Sequence, residues 1–255
     1  MEGHIVRTFD GEILNLRMRA LAMGGLAIDQ VQRAVQALTR GSDDDAREVI
    51  ARGAQVTGYA QGIEDELVGL IARRQPVASD LKAILAIGRV ATDLERVGNA
   101  ARKIARLAIE LHHAPSGAPL NQFYSDVRKM SRLALGMLRD ALDAFDRVDV
   151  ATAATLAPRD QELDAEFQLA LRELVTYVME DQRNLQSTIQ TVFLIKALER
   201  VGDHARNIAA IVPRLARREA TESAALPPPA APPAAEAVPA GAQRGEATPP
   251  GAPLG

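Results

Sequence analysis

Cysteine and tryptophan are absent from this chain of 255 residues. The lack of cysteine excludes disulfides, thiolate zinc sites and cysteine nucleophiles, and it suits a reducing compartment. Aromatic residues make up only 3% of the sequence, whereas strands usually recruit aromatic and β-branched side chains. Because the chain is nevertheless 47% hydrophobic, it can bury a core, and its composition predicts an all-α protein.

Long apolar runs and an excess of basic charge are also missing. No stretch approaches the roughly 18 uncharged apolar residues that a membrane span needs. The opening residues, MEGHIVRTFDGEILNL, lack the basic region and apolar core of a secretory signal. The net charge of -3 gives no broad basic footprint for nucleic acid. We therefore expect a cytoplasmic protein that neither binds nucleic acid nor inserts into a membrane.

Proline is concentrated near the C-terminal end, where residues 226–255 hold nine of the fourteen prolines. Proline breaks helices, and this segment offers few apolar side chains to offset the entropy lost on ordering. We therefore expect residues 219–255 to form a disordered tail. No strand or hairpin pattern occurs in the rest. The predicted long helices cover approximately 9–40, 42–74, 76–113, 123–147, 149–181 and 184–217.

One stretch of the sequence occurs twice. Residues 197–209 read ALERVGDHARNIA and residues 93–105 read DLERVGNAARKIA, with nine of thirteen positions identical and a separation of 104 residues. Two copies are too few, and the period too long, for a solenoid. The repeat instead predicts two tandem three-helix bundles of antiparallel helices related by a pseudo-twofold, the first over 1–114 and the second over 121–218.

Apolar residues recur at steps of four and three through each copy, which predicts a seam that faces partner helices. In the first copy the seam is Val90, Leu94, Val97, Ala101, Ile104, Ala108 and Leu111. In the second copy it is Leu194, Leu198, Val201, Ala205, Ile208, Val212 and Leu215.

Two pairs of acidic residues are left over once the seam is removed. Glu199 and Asp203 lie four apart on the sixth helix, and Asp160 and Asp164 have the same spacing on the fifth. Carboxylates at this spacing repel each other on a helix unless a cation lies between them. If the two helices are antiparallel neighbours, the four carboxylates can form an oxygen-rich site suited to iron, manganese, magnesium or calcium.

An ordinary ion-paired face is the alternative that spacing leaves open. Arg206 stands three positions after Asp203, and Lys196 stands three positions before Glu199. Such pairs are common on solvated helix faces. Spacing alone favours this alternative over a metal site.

Three further positions of the repeat bear on the interpretation. Gly98 and Gly202 occupy equal positions inside helices, where glycine costs about 1 kcal/mol relative to alanine, so we expect close helix approach there. Arg96 and Arg200 also correspond, and either ion pairing, the default, or anion binding would explain them. His204 has no second histidine at ligand spacing. A supporting contact to the acidic patch is one interpretation, but we expect it to be exposed or weakly hydrogen-bonded.

The repeated phrases resemble the PhoU family, the accessory regulators of phosphate-specific transport. The segment RRQPVASDL at 73–81 and the phrases FDGEILNL and RDQELDAEF fit the same pattern, and the resemblance extends from about 4 to 212. The resemblance implies two three-helix bundles whose acidic motifs hold metal clusters, commonly of iron, on the bundle surface. It assigns Asp160, Asp164, Glu199 and Asp203 as ligands of iron or manganese, with magnesium as a further candidate.

The first bundle departs from this pattern. Glu95 is retained, but Asn99 stands where the second copy has an aspartate. On the preceding helix, the corresponding positions near Gly53, Thr57 and Ala60 are not acidic either. Because lost negative charge weakens cation binding, we expect the first-bundle site to be empty or weak.

The resemblance implies a regulatory protein and not an enzyme. It implies a cytoplasmic adaptor that couples the ATPase subunit of the phosphate ABC transporter to a sensor histidine kinase and represses the phosphate-starvation response. Because dimers are the commonest symmetric oligomers, we also expect a homodimer. One alternative is a store of metal or phosphate without signalling partners. A di-iron oxidase is the other, but no histidine follows Glu95 or Glu199 at the spacing of its usual Glu-x-x-His pattern.

Overall fold

The computed structural model describes residues 2–76, 78–114 and 120–217. Every regular element in these ranges is a helix, as the composition predicts. The predicted tail at 219–255 lies outside the described residues. No described helix has both the length and the apolar content that a membrane crossing needs. The helices are α1 Glu2–Arg40, α2 Asp43–Arg74, α3 Ala78–His112, α4 Leu120–Arg147, α5 Val150–Ala154, α6 Leu156–Glu180 and α7 Leu185–Ala209.

Helix α2 shows how local sequence sets the helix ends. Its N-cap is Ser42, whose hydroxyl accepts a hydrogen bond from the Asp45 amide at 3.2 Å. Three aspartates fill the first turn, where the helix dipole favours negative charge. The helix ends at Gln75, which takes a left-handed conformation with φ 46° before Pro76, because a helix does not normally continue into proline.

The fifth and sixth predicted helices are each interrupted. A turn at Thr155 separates α5 from α6, and the Thr155 hydroxyl donates to the Thr152 carbonyl at 2.8 Å. Helix α7 ends at Ala209, and a turn at 210–211 precedes a helical segment at 212–217. Pro213 explains the second break, because its ring clashes with the carbonyl four residues earlier and it has no amide to donate.

Helices α1, α2 and α3 pack as the first bundle, and α4, α6 and α7 pack as the second. Both predicted seams are buried, with every seam side chain at most 9% exposed. The bundles meet through α3 against α7 and α1 against α4. The two copies of the repeated segment therefore lie side by side at the pseudo-twofold, and the predicted fold is confirmed.

Glycines mark the closest approaches inside each bundle. A Cβ atom at Gly98 would lie 2.8 Å from Cγ1 of Val56, and one at Gly202 would overlap Leu163. The predicted reason for these glycines is therefore correct. Val56 and Leu163 are 107 positions apart. Each position of α2 therefore corresponds to the position of α6 that lies 107 residues later.

Candidate functional site

The candidate site lies where α6 and α7 run together in the second bundle. Asp160 projects from α6 with a side chain only 6% exposed, and its Oδ2 atom lies 2.9 Å from Nη1 of Arg206 on α7. The other terminal nitrogen of Arg206 lies 3.4 Å from Oδ1 of Asp203. One guanidinium thus bridges carboxylates on two helices. This confirms the Asp203–Arg206 ion pair, which was expected if the acidic residues formed ordinary ion pairs on a helix face.

Neighbouring charges act on the buried carboxyl group of Asp160. Burial raises the pKa of Asp160, and the charges of Asp164 and Asp203 raise that pKa further, while Arg206 opposes the change. Charge repulsion of this kind acts over short distances. The structure therefore joins Asp160 and Asp203 through Arg206, and Asp164 lies near enough for its charge to act on Asp160.

The fourth residue, Glu199, is also buried on α7, one turn before Asp203. Its Oε1 atom lies 2.5 Å from the ammonium of Lys196, which in turn stacks over the ring of Phe167. Its Oε2 atom is buried and has no hydrogen-bond partner within the described part of the chain. A buried carboxylate oxygen without a partner is costly, so Glu199 offers an acceptor that the protein itself does not use.

Whether these residues fit a metal depends on Arg206. Across residues 2–76, 78–114 and 120–217, no group of three or more histidine or acidic side chains is arranged as a metal site. The chemistry of the donors nevertheless fits a hard cation, because all are carboxylate oxygens and one lacks a partner. A cation would have to displace the guanidinium, which is 49% exposed and has room to leave.

The corresponding position of the first bundle is filled differently. Arg102, the repeat equivalent of Arg206, donates a hydrogen bond to the side chain of Asn99. A Cβ atom at Gly53, the counterpart of Asp160, would overlap Cδ of Arg102. The aliphatic part of the Arg102 side chain thus occupies the space that a metal-binding carboxylate on α2 would need. This packing supports the expectation of an empty or weak first site, which stays a prediction.

His204 joins the two bundles. Its Nδ1 atom lies 2.9 Å from Oδ1 of Asp93 on α3, and Asn207 donates to the same oxygen at 3.4 Å. The side chains of His204 and Asp93 are 21% and 18% exposed. The expectation of an exposed or weakly bonded histidine is therefore wrong, because its partner lies on the other bundle.

A signal for this contact was present in the sequence. Asp93 corresponds to Ala197, and His204 corresponds to Ala100. These are two of the four positions at which the copies differ, and a pseudo-twofold brings the two changes into one contact. The sequence alone does not say which helices cross between the bundles, so the pairing was missed.

A tandem pair of three-helix bundles, with an acidic motif on the face of the second, defines the class of protein. The PhoU domain family matches residues 20–108 and 127–212, one match in each bundle. The chain therefore belongs to the PhoU family, and the resemblance drawn from its motifs is confirmed.

Named relatives agree with this assignment. The phosphate-specific transport system accessory protein PhoU homolog of Pseudomonas putida is 42% identical over 217 residues, which cover 84% of this chain and 82% of the relative. The accessory protein PhoU of Escherichia coli strain K12 is 34% identical over 209 residues, covering 82% and 85%.

Two solved structures share the fold. The crystal structure of PhoU from Pseudomonas aeruginosa superposes with a TM-score of 0.76 at 42% identity and covers 82% of this chain and 99% of that one. The phosphate transport system regulatory protein PhoU from Streptococcus pneumoniae superposes at 0.73 with 27% identity, covering 84% and 97%. The likeness thus extends over both bundles.

Proposed function

We propose that this protein is an accessory regulator of phosphate-specific transport. The observation that carries the proposal is the family match in both bundles, together with relatives whose names all describe an accessory protein of that system. In this role the chain is a cytoplasmic, non-enzymatic adaptor. It couples the ATPase subunit of the phosphate transporter to a sensor histidine kinase and keeps starvation genes repressed while phosphate is plentiful.

An apolar surface on the second bundle supports an adaptor role. Leu185, Ile189 and Phe193 recur every four residues along α7 and are each about half exposed. Val175 and Met179 on α6 flank the same turn, and Met179 is 81% exposed. Exposed apolar side chains on one helix face suit the groove of a partner. We assign this surface, called here the α6–α7 tip, to contacts with the transporter ATPase, the kinase or a second copy of the chain.

Deletion and complementation test the regulatory role. Deletion of the gene should raise phosphatase expression in high phosphate, and the wild-type gene should restore repression. A variant with Ile189→Asp and Phe193→Asp at the tip should fail to restore it, because two charges block apolar docking. Met18→Asp, at a 62% exposed position of α1, is the matched control and should complement. Repression that survives deletion of the gene would refute the regulatory role.

A pull-down distinguishes the adaptor from a storage protein. The wild-type chain should capture the transporter ATPase and the kinase, and the Ile189→Asp, Phe193→Asp variant should capture neither. A chain that binds metal or phosphate but captures neither protein would support the storage alternative. Size-exclusion chromatography with light scattering checks the proposed homodimer in the same preparations.

We further propose that Asp160, Asp164, Glu199 and Asp203 hold a hard metal ion, with iron or manganese as first candidates and magnesium as another. The buried carboxylate of Asp160 and the unpartnered oxygen of Glu199 support this. The ion would neutralise the repelling carboxylates and link α6 to α7. No metal chemistry beyond this structural role is required of it.

Metal content per chain tests this site. Asp203→Ala should abolish bound iron or manganese measured by elemental analysis, because it removes a charged ligand. Glu162→Ala, on the exposed side of α6, should leave the metal content unchanged. Equal metal in the Asp203→Ala variant and the wild type would rule out this ligand set.

A further inference from the structure

A basic groove runs along the pseudo-twofold, where α3 of the first bundle meets α7 of the second. Its volume is about 610 Å³. Four basic side chains line it, Arg96 and Lys103 from α3 and Arg200 and Arg206 from α7, against the single carboxylate of Asp203. A local excess of positive charge therefore exists in a protein whose net charge is negative.

The repeat places two of these arginines opposite each other. Arg96 and Arg200 are equivalent positions, 104 residues apart, and both side chains are exposed in the groove. Neither forms an ion pair with any carboxylate in the described ranges, whereas Arg33 is paired with Asp29 at 2.8 Å. Two unpaired guanidinium groups facing one space repel each other, and an anion between them removes that repulsion.

The other charges in the groove do not neutralise them. Asp203 is already engaged by Arg206 at 3.4 Å. Its repeat equivalent, Asn99, is an amide and adds no negative charge. Lys103 lies 4.7 Å from the centre of the Phe193 ring, a contact that leaves its charge uncompensated. The exchange of aspartate for asparagine at position 99 thus makes the groove more basic than a symmetric repeat would.

We propose that this groove binds a chain of phosphate groups, as carried by a nucleoside triphosphate or by inorganic polyphosphate. Guanidinium groups match phosphate oxygens in paired hydrogen bonds, and two arginines on facing helices can hold successive phosphates. A space of about 610 Å³ is that of a small-molecule pocket and exceeds what one phosphate ion needs. The proposal does not rest on the regulatory role, and it is tested without metal because Asp203 and Arg206 belong to both the groove and the candidate metal site.

Isothermal titration calorimetry of the full chain, in metal-chelated buffer at low salt, tests the groove with three probes. Tripolyphosphate and ATP should both bind, and inorganic phosphate should bind much more weakly. Equal affinity for the first two assigns recognition to the phosphate chain alone, and tighter ATP binding adds the nucleoside. Both outcomes support the site, and affinity should fall as salt rises. No binding of either probe at millimolar concentration would overturn it.

Variants locate the binding. Arg96→Gln combined with Arg200→Gln should weaken tripolyphosphate binding by about tenfold or more for each lost charge-assisted contact. Arg172→Gln, an exposed arginine of α6 outside the groove, is the control and should bind as the wild type does. Asn99→Asp restores the charge of a symmetric repeat without removing a cation, so it should also weaken binding in a folded chain. Unchanged affinity in both groove variants would show that the anion binds elsewhere.

Discussion

At the scale of single residues, the burial of Asp160 on α6 carries an electrostatic cost. Asp160 is buried beside two further carboxylates, and the net effect is a raised pKa. The sequence predicted the four acids from their spacing and from the family pattern. It did not predict that Arg206 bridges to Asp160. Spacing along α7 identifies the neighbours of Asp203 on the same helix, but it does not identify a side chain that approaches from α6.

The raised pKa has a consequence for stability. An acid whose folded pKa lies above its unfolded value is unfavourable when charged, so its cost is absent below about pH 4 and grows as pH rises through the folded pKa. Asp160→Asn in the metal-free chain should therefore raise Tm at pH 7, with the gain shrinking toward pH 4. Thermal melts followed by circular dichroism check this, with Glu162→Gln as the control. A lower Tm at pH 7 would show that the Arg206 ion pair outweighs burial and repulsion.

At the scale of the helices, the fold could be read from the sequence more completely than the site. The apolar steps of three and four located both seams correctly, because burial on one face leaves a periodic signal. The break at Thr155 left no such signal, since VATAATLAP has no glycine and reads as helix up to its proline. The hydrogen bond that the Thr155 hydroxyl donates to the Thr152 carbonyl accompanies this break, but the composition does not mark it.

One helix end is held by two histidines. Asp43 begins α2 and accepts hydrogen bonds from His112 at 2.8 Å and His113 at 2.6 Å, near the end of α3. These hydrogen bonds hold the pKa of Asp43 below its ordinary value. A depressed folded pKa gives stability that is present above the unfolded pKa and is lost as pH falls through the folded one.

Replacing Asp43 should therefore have a pH-dependent effect. Asp43→Ala should lower Tm at pH 7, and the difference from the wild type should narrow as the pH falls below about 4. Melting curves between pH 3 and pH 8 measure this. Asp44→Ala is the control, because Asp44 shares the first turn of α2 but its side chain is 96% exposed. A Tm difference that does not change with pH would attribute the loss to helix packing and not to the carboxylate.

A matched pair of glycines tests close helix approach. Gly98→Ala should destabilise the chain by about 1 kcal/mol or more, because overpacking against the branched Val56 outweighs the gain in helix propensity. Gly58→Ala should stabilise it by about 0.5–1 kcal/mol, because nothing lies within 4 Å of a Cβ atom there. Urea unfolding shows whether each substitution raises or lowers the free energy of unfolding. A stabilised Gly98→Ala variant would mean that Val56 can move aside.

At the scale of the whole molecule, the repeat defines equivalent positions but not the contacts between halves. The sequence predicted a pseudo-twofold, yet it gave no reason to place α3 against α7. The structure makes this contact the centre of the molecule, with His204 bonded to Asp93 on one side of the axis. The basic groove follows from the same contact, since it needs both copies of the repeated arginine.

The strength of the link between bundles can be measured by a double-mutant cycle. His204→Ala, Asp93→Ala and the double variant should show a coupling of about 0.5–1.5 kcal/mol, as expected for one hydrogen bond between half-buried groups. Chemical unfolding gives the free energies. Additive losses would show that the two side chains do not interact in solution.

The same contact makes the two sides of the pseudo-twofold chemically different. On one side His204 and Asp93 form a hydrogen bond, and on the other side the equivalent positions are Ala100 and Ala197, whose side chains are buried. Exact two-fold symmetry would let a ligand bind across the groove in two reversed orientations with equal affinity. The two orientations are not equivalent here, because only one side of the pseudo-twofold carries a hydrogen-bonded imidazole and carboxylate.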